Sequence, residues 1–412
     1  METSWFSLLT SRRSRPPVKD LLSLLRPKCK EIITEEELRK LLAKNRKLRV
    51  KLGVDPTGAE LHLGHAMSLM LLNIFERAGH EVHFIMGDFT AQIGDPAGQA
   101  ARRRELSRAE VKQNMRTYKA QISTLINLKK AKVNQNSKWL GSMKLESFLK
   151  VAGALSLGAV AQREDFRARI KSGSGVSLRE ASYSALMGID SIETKADIEV
   201  GGIDQLLNFM QTRDIMSAFG HSPEVVLATP ILEGTAGDGR KMSKSFNNYI
   251  ALSASADEQF GLVMSIPDKL ILSYFISFGD IYENEIEKLD REIAQAPFAL
   301  KKELGLLITS IFHNEKEAKC ALENFERRFS KKEYTSRDET NVWARLPKGA
   351  LDALCDAYGG ELSKSKIRTL LGQGGVRRLD AGDETTLGAD DKIKDGDLVK
   401  VGKRGLLRFK KK

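Results

Sequence analysis

Residues 48–89 constrain the fold more than any other stretch. "LRVKLGVD" (48–55) alternates apolar and polar residues and stops at the turn "DPTG". A helical pattern then runs from about Gly64 to Ala78, and "EVHFIMGDF" (81–89) is a second apolar run ending in the polar loop "TAQIGDPAG". Strand, turn, helix and strand in that order form a βαβ unit and predict a parallel sheet. Ligands of such sheets sit at the carboxyl ends of the strands, where "DPTG" and "GDPAG" both fall.

The rest of the chain extends this frame. "ITEEELRKLLAKN" (33–45) predicts a helix, with Thr34 as N-cap and Glu37 closing a capping box. Residues 110–195 are mostly helical in pattern and read as an insertion between sheet strands. "KADIEVGGIDQ" (195–205) and "EVVLATPIL" (224–232) read as further strands, with a helix beginning near Gln205 between them. Residues 255–335 are helical with charged faces, and 343–412 turn to short strands and turns. The predicted fold class is α/β. It comprises a basic N-terminal extension and helix (1–45), a Rossmann-like parallel-sheet domain (46–254), an α-helical domain (255–335) and a small α+β domain (343–412).

Composition narrows the functional classes. With 412 residues the chain is long enough for two or three cores. No run approaches the roughly 18 apolar residues of a membrane span. The N-terminus places its short apolar run before its arginines, the reverse of a secretion signal. Three cysteines without C-x-x-C spacing fit a reducing compartment, so the expected location is cytoplasmic, with no membrane partner. The net charge of +12 is uneven. Residues 1–50 hold thirteen basic against six acidic residues, and 340–412 hold sixteen against ten. Basic ends around a near-neutral body predict a polyanionic partner.

Four of the six histidines form two H-x-x-H pairs, His62/His65 and His80/His83. Neither pair brings the glutamate or carboxylate ligand of a usual zinc helix, and no metal site is expected. His62 and His65 lie where a turn enters a helix, whose start offers free N–H groups to phosphate. Two partly buried structural histidines are the alternative. "GRKMSKS" (239–245) places Lys241 and Lys244 three apart in a glycine- and serine-rich loop, suited to charge on a leaving pyrophosphate.

"HLGH" followed some 180 residues later by "KMSKS" resembles the signature pair of class I aminoacyl-tRNA synthetases. The words "VKLGVDPTGAELHLGH", "GHEVHFIMGDFTAQIGDPAG", "NSKWL", "REDFRARI", "KADIEVGGIDQ" and "GRKMSKSFNNYI" resemble the bacterial tyrosyl-tRNA synthetases of the KMSKS-bearing branch, from about residue 30 onward. The resemblance implies an ATP-dependent, AMP-forming ligase working as a homodimer on tyrosine, ATP with Mg²⁺, and tRNA(Tyr), with no tightly bound cofactor. It implies that Thr57, His62 and His65 contact the ATP phosphates and ribose, and that Lys241 and Lys244 hold the pyrophosphate. Asp204 would bind the ribose, with Gly202 leaving room for the nucleotide, and Ile231 and Leu232 would line the adenine. Gly53, Asp55, Gly64, Met242 and Ser243 complete the implied nucleotide set. Asp95 and Tyr183 would hold the α-ammonium of the amino acid, Asp190 its hydroxyl, and Gln205 would lie near its carboxylate.

"LSKSKIRTLLGQGGVRRL" and "DKIKDGDLVKVGKRGLLRF" resemble the S4-type RNA-binding domain, which would set Lys364, Lys366, Arg368, Lys403 and Arg404 against RNA phosphates. The family's Y-P-L-x-Q-x-Y-D reads "YSALMGID" here. Met187 stands for an ammonium-binding glutamine and Ile189 for a tyrosine, and Ile203 replaces the serine or threonine of G-G-[ST]-D-Q. These three changes are expected to remove polarity around one pocket. They leave open a paralogue with an altered amino-acid pocket, and a catalytically weak RNA-binding descendant is a further alternative.

Overall fold

The computed structural model describes residues 4–13, 21–95, 105–330, 339–360, 362–380, 383–402 and 405–412. They fall into two compact units, Met1–Glu323 and Asn324–Lys412.

The first unit is built on a six-stranded sheet of β1 (Glu31–Ile33), β2 (Arg49–Val54), β3 (Glu81–Met86), β4 (Lys132–Gln135), β5 (Ile198–Gly202) and β6 (Val225–Thr229), in the order β1-β6-β5-β2-β3-β4. All pairings are parallel except that of β1 with β6. From β2 the chain builds outward through β3 to β4. It then returns to place β5 on the opposite edge of β2. The topological switch point therefore lies between β2 and β5, where a crevice opens at the strand ends.

Helix Leu63–Arg77 crosses between β2 and β3, as expected, and is apolar on nearly every side because it is covered on nearly every side. It packs on β2, β3 and β5, and also against helix Ile271–Phe278. The helices from Ala256 to Phe312 thus share one hydrophobic core with the sheet. Arg77 fastens this junction with two hydrogen bonds to Asp280, at 2.8 and 3.0 Å. The Thr34–Glu37 capping box forms at the start of helix Glu35–Leu42.

The stretch 110–195 is not wholly helical: it also supplies β4. "KVNQ" is too short and too polar for an alternation to show, and its strand conformation comes from pairing with β3. Residues near the N-terminus, for which the sequence suggested no role, form helix Trp5–Arg12. Trp5, Phe6 and Leu9 are buried against helix Pro297–Phe312, and Arg12 forms a two-pronged pair with Glu285.

Among the described residues no single helix is long and apolar enough to cross a membrane. One bent pair, Ala256–Met264 with Asp268–Phe278, passes by composition, but it carries the buried core residues Phe260, Val263, Ile271, Tyr274 and Phe275.

The second unit holds a five-stranded sheet, order β10-β9-β12-β13-β7, from β7 (Thr340–Ala344), β9 (Val376–Asp380), β10 (Asp383–Thr386), β12 (Leu398–Val401) and β13 (Gly405–Lys411). A small pair joins β8 (Lys348–Gly349) to β11 (Lys392–Ile393). Helices Ala350–Tyr358 and Lys364–Gly372 cover a core that includes Leu354, Ile367, Val399 and Phe409.

Candidate active site

A cleft of about 470 Å³ opens at the switch point and is lined by residues from β2, β5, the start of helix Leu63–Arg77, helix Tyr183–Thr194 and the 241–244 loop. Every nucleotide- and amino-acid-binding residue expected from the sequence lines it: Gly53, Asp55, Thr57, His62, Gly64, His65, Asp95, Tyr183, Met187, Asp190, Gly202, Asp204, Gln205, Ile231, Leu232, Lys241, Met242, Ser243 and Lys244.

His62 caps the helix. Its Nδ1 accepts the Gly64 N–H at 3.2 Å, while His65 Nδ1 accepts the His62 N–H at 3.3 Å. With both Nδ1 atoms accepting, the ring protons belong on Nε2, an assignment made from the hydrogen bonds. The rings lie with centroids 4.0 Å apart, tilted at 49° to each other. Desolvation first, and then the neighbouring His65 and the two lysines, push His62 down to about 2. Desolvation and Lys244 push His65 down to about 4. His65 is exposed by accessible area but enclosed by protein on its other sides. Water in the cleft therefore limits the depth of its shift, not its direction. Two neutral N–H donors at a helix start suit phosphate oxygens.

Lys241 and Lys244 both act electrostatically on His62, so the two distant motifs meet at one end of the cleft. The loop is fastened beside them. Met242 N–H donates to the Leu232 carbonyl at 2.8 Å and Ser243 N–H to Asn248 Oδ1 at 2.8 Å, and Lys244 Nζ reaches the Glu60 carbonyl. Ile231 is exposed and Leu232 buried. A Cβ on Gly202 would lie 2.4 Å from Asp204 Oδ1, so the room that glycine leaves is taken up by the Asp204 carboxylate.

The other arm of the cleft runs between the sheet and helix Tyr183–Thr194, where Tyr183, Met187 and Asp190 recur at i, i+4 and i+7. A Cβ at Gly53 would meet nothing within 4 Å, so that strand position borders open space. Asp55, expected beside ATP, instead accepts the Tyr183 hydroxyl at 2.9 Å and Thr90 Oγ1 at 2.6 Å. Burial pushes its carboxyl up to about 7. Asp95 is held by Gln205 Nε2 at 2.6 Å.

At the deep end Asp190 accepts Trp139 Nε1 at 2.7 Å and Asn136 Nδ2 at 3.2 Å, and burial pushes it up to about 6. Asn136 also donates to Thr90 Oγ1 at 3.0 Å. One chain of hydrogen bonds thus runs from Tyr183 through Asp55, Thr90 and Asn136 to Asp190 and Trp139. The sequence reading had no role for Asn136, Trp139 or Thr90, although "NSKWL" carried two of them. It also passed over Gly87, where a Cβ would lie 2.0 Å from Asp55 Oδ1.

Other expected residues fall elsewhere. Ile189 does not line the cleft. It is buried in a cluster with Leu140, Val151 and Ile215 on the far side of its helix. Of the three polarity-removing changes, Met187 alone faces the cleft, and Ile203 packs beside it near Phe209. His80 Nδ1 accepts the Leu48 N–H at 3.3 Å and His83 Nε2 pairs with Glu81 at 2.6 Å, each in a separate scaffold contact. In the second unit Lys364, Lys366 and Arg368 are exposed on helix Lys364–Gly372, and Lys364 approaches Asp352 at 3.4 Å. Lys403 and Arg404 lie outside the described residues.

The chain is 37% identical over 390 residues to a tyrosine–tRNA ligase of Aquifex aeolicus, covering 95% of this chain and 98% of that one. It is 40% identical over 303 residues to tyrosine–tRNA ligase 2 of Vibrio parahaemolyticus, covering 73% and 76%. The fold is similar to that of Archaeoglobus fulgidus tyrosyl-tRNA synthetase, solved with L-tyrosine, at a TM-score of 0.61 and 24% identity, covering 74% of this chain and all of that one. A truncated mitochondrial tyrosyl-tRNA synthetase of Aspergillus nidulans gives a TM-score of 0.65 at 19% identity over 79% of this chain and 98% of that one. Residues 43–330 match the family model of class I tRNA synthetases (W and Y), and the chain belongs to that family.

Proposed function

We infer that the chain is a tyrosine–tRNA ligase that activates tyrosine with ATP and transfers it to tRNA(Tyr) in the cytoplasm. The observation that carries the reading is the single cleft in which the His62/His65 donors and the Lys241/Lys244 loop meet at one end and a polar-lined arm ends on Asp190 at the other. A substrate carboxylate oxygen attacks the α-phosphorus of ATP, the bond from that phosphorus to the α,β-bridging oxygen breaks, and pyrophosphate leaves. The 3'-terminal ribose hydroxyl of tRNA then attacks the carbonyl carbon and releases AMP. Negative charge grows on phosphate in the first step. Neutral imidazole N–H groups and the two loop lysines placed there lower its barrier without a protein nucleophile. Mg²⁺ enters with ATP as part of the substrate, bound through its phosphates.

Asp55, Asp95 and Tyr183 form the anionic and polar end suited to the α-ammonium, Gln205 orients Asp95, and Asp190 accepts the ring hydroxyl. Lys364, Lys366 and Arg368, with Lys403 and Arg404, supply phosphate contacts in an S4-type RNA-binding unit, giving affinity with strong salt dependence. The exposed Leu145, Leu149, Leu157 and Leu178 of the 145–181 segment are the apolar side chains we assign to the pairing of two copies.

ATP–pyrophosphate exchange with each of the twenty amino acids tests the reading. Exchange with tyrosine alone is expected. Exchange with none, or with a different amino acid, overturns it. Light scattering should give a dimer mass, and Leu145→Glu with Leu149→Glu a monomer.

A further inference from the structure

The deep end of the cleft holds a second group of ionisable side chains that the proposed reaction leaves without a role. Lys51 on β2 and Glu199 on β5 are register partners in a parallel pairing, so their side chains leave the same face of the sheet. Lys51 Nζ lies 2.8 Å from Glu199 Oε1. Both line the cleft, yet only 1% and 2% of their surface is exposed. Lys51 also donates to Ser191 Oγ, and that hydroxyl lies 3.1 Å from Glu224 Oε1.

Burial and the adjacent Glu199 push the Glu224 carboxyl well above the usual range, so Glu224 keeps its proton. That proton bridges the Glu224 carboxyl to Glu199. The group then balances as one ammonium against one carboxylate. Desolvation works against the Lys51 charge, but the adjacent carboxylates, Glu199 first, favour it, and the net shift is upward.

A buried ion pair is a poor stabiliser compared with well-packed apolar side chains, so stability alone does not account for a lysine here. An ammonium carries three N–H donors. Among the described residues Glu199 and Ser191 take two of them; Lys51 and Asp190 both line the cleft and are close enough to act on each other electrostatically. Asp190, fixed by Trp139 and Asn136, is the acceptor for a ring hydroxyl in the reading above. A hydroxyl that donates to Asp190 still has lone pairs to offer.

We propose that Lys51, held by Glu199, is a specificity-determining residue at the ring end of the amino-acid pocket, donating its remaining N–H to the oxygen of the ring hydroxyl whose proton Asp190 accepts. The inference rests on the tyrosine-activating reading and sharpens it. The pocket asks for a ring substituent that both donates and accepts. A phenol does both. An aromatic amine donates but accepts poorly, because its lone pair is delocalised into the ring. Phenylalanine does neither.

The test is ATP–pyrophosphate exchange with tyrosine, 4-aminophenylalanine and phenylalanine, by the full-length protein and by Lys51→Met/Glu199→Gln. The double substitution removes both charges together and leaves no unpaired charge in the core. Lys51→Met alone is the companion variant, and the thermal midpoint of each is measured to establish folding. Wild type is expected to prefer tyrosine to 4-aminophenylalanine. The double variant should lose about ten- to 150-fold of that preference, the range for a hydrogen bond to a charged group, chiefly in KM for tyrosine. A folded variant with an unchanged ratio, or with equal losses on both substrates, overturns the inference alone. Absence of tyrosine exchange in wild type overturns the underlying reading and this inference with it.

Discussion

The Tyr183 hydroxyl donates to Asp55 Oδ2 at 2.9 Å, joining a residue of the helical insertion to the carboxyl end of β2. Asp55 is half-buried at the cleft wall, and its carboxyl is pushed up from an ordinary 3.8 to about 7, by desolvation first and then by the nearby Asp95 and Asp190. Near neutrality it therefore switches between a neutral acid and an anion able to hold an ammonium.

A pH dependence follows for the free enzyme. kcat/KM for amino-acid activation should rise with pH between about 6 and 8 as Asp55 loses its proton, because kcat/KM reports groups of the free enzyme. Asp55→Asn should flatten that limb and lower the plateau. Folding linkage has the opposite sign. A carboxyl raised from 3.8 to about 7 contributes stability that is fully present below 3.8 and lost as pH rises through 7. Exchange rates and urea midpoints across pH 5–8, for both proteins, check the two signs.

Asn136→Ala should weaken both ends of the amino-acid arm at once. The side chain is buried, donates to Thr90 and Asp190, and accepts the Phe89 N–H. Leaving these partners unmet costs about 1–3 kcal/mol. KM for tyrosine should rise roughly five- to 150-fold, with KM for ATP little changed. Steady-state exchange with each substrate varied in turn separates the two.

Lys244→Ala should lower the activation rate while tRNA binding is nearly unchanged, since Lys244 lines the cleft at its phosphate end. Removal of one donor at developing charge typically costs about 10²- to 10³-fold in kcat. His62 and His65, both neutral above about pH 4, should add no limb of their own to the one assigned to Asp55. Single-turnover adenylate formation, beside filter binding of tRNA, gives the comparison.

Leu9→Ala tests the N-terminal helix. Leu9 is fully buried, with a methyl 2.9 Å from where a Cβ on Gly279 would sit. The substitution should cost about 2–5 kcal/mol, read as a lower thermal midpoint. Exchange at 25 °C should be little affected, because the cleft is formed by other elements.

The parallel sheet was legible because β2, β3, β5 and β6 are apolar runs bounded by turns, and helix Leu63–Arg77 has a clear start. The two signature words supplied the phosphate end of the cleft. Less was legible where a residue's role depends on a neighbour far away in sequence. Lys51 and Glu199 looked like the polar phase of ordinary alternation, and register alone makes them a pair. Ile189 and Met187 sit two positions apart in one departure from the family pattern, but helical geometry turns one into the core and the other into the cleft. β4 has no periodic signature and exists through β3.

That β2 is bordered by β3 on one side and by β5, some 150 residues later, on the other has a consequence for synthesis on the ribosome. Until residues 198–202 emerge, β2 has an open edge carrying Lys51 without its carboxylate partner. A charged residue on a waiting edge discourages pairing with a foreign strand. Arrival of β5 neutralises that charge and closes the cleft floor in the same event, so the nascent chain gains its pocket only when its most exposed edge is sealed.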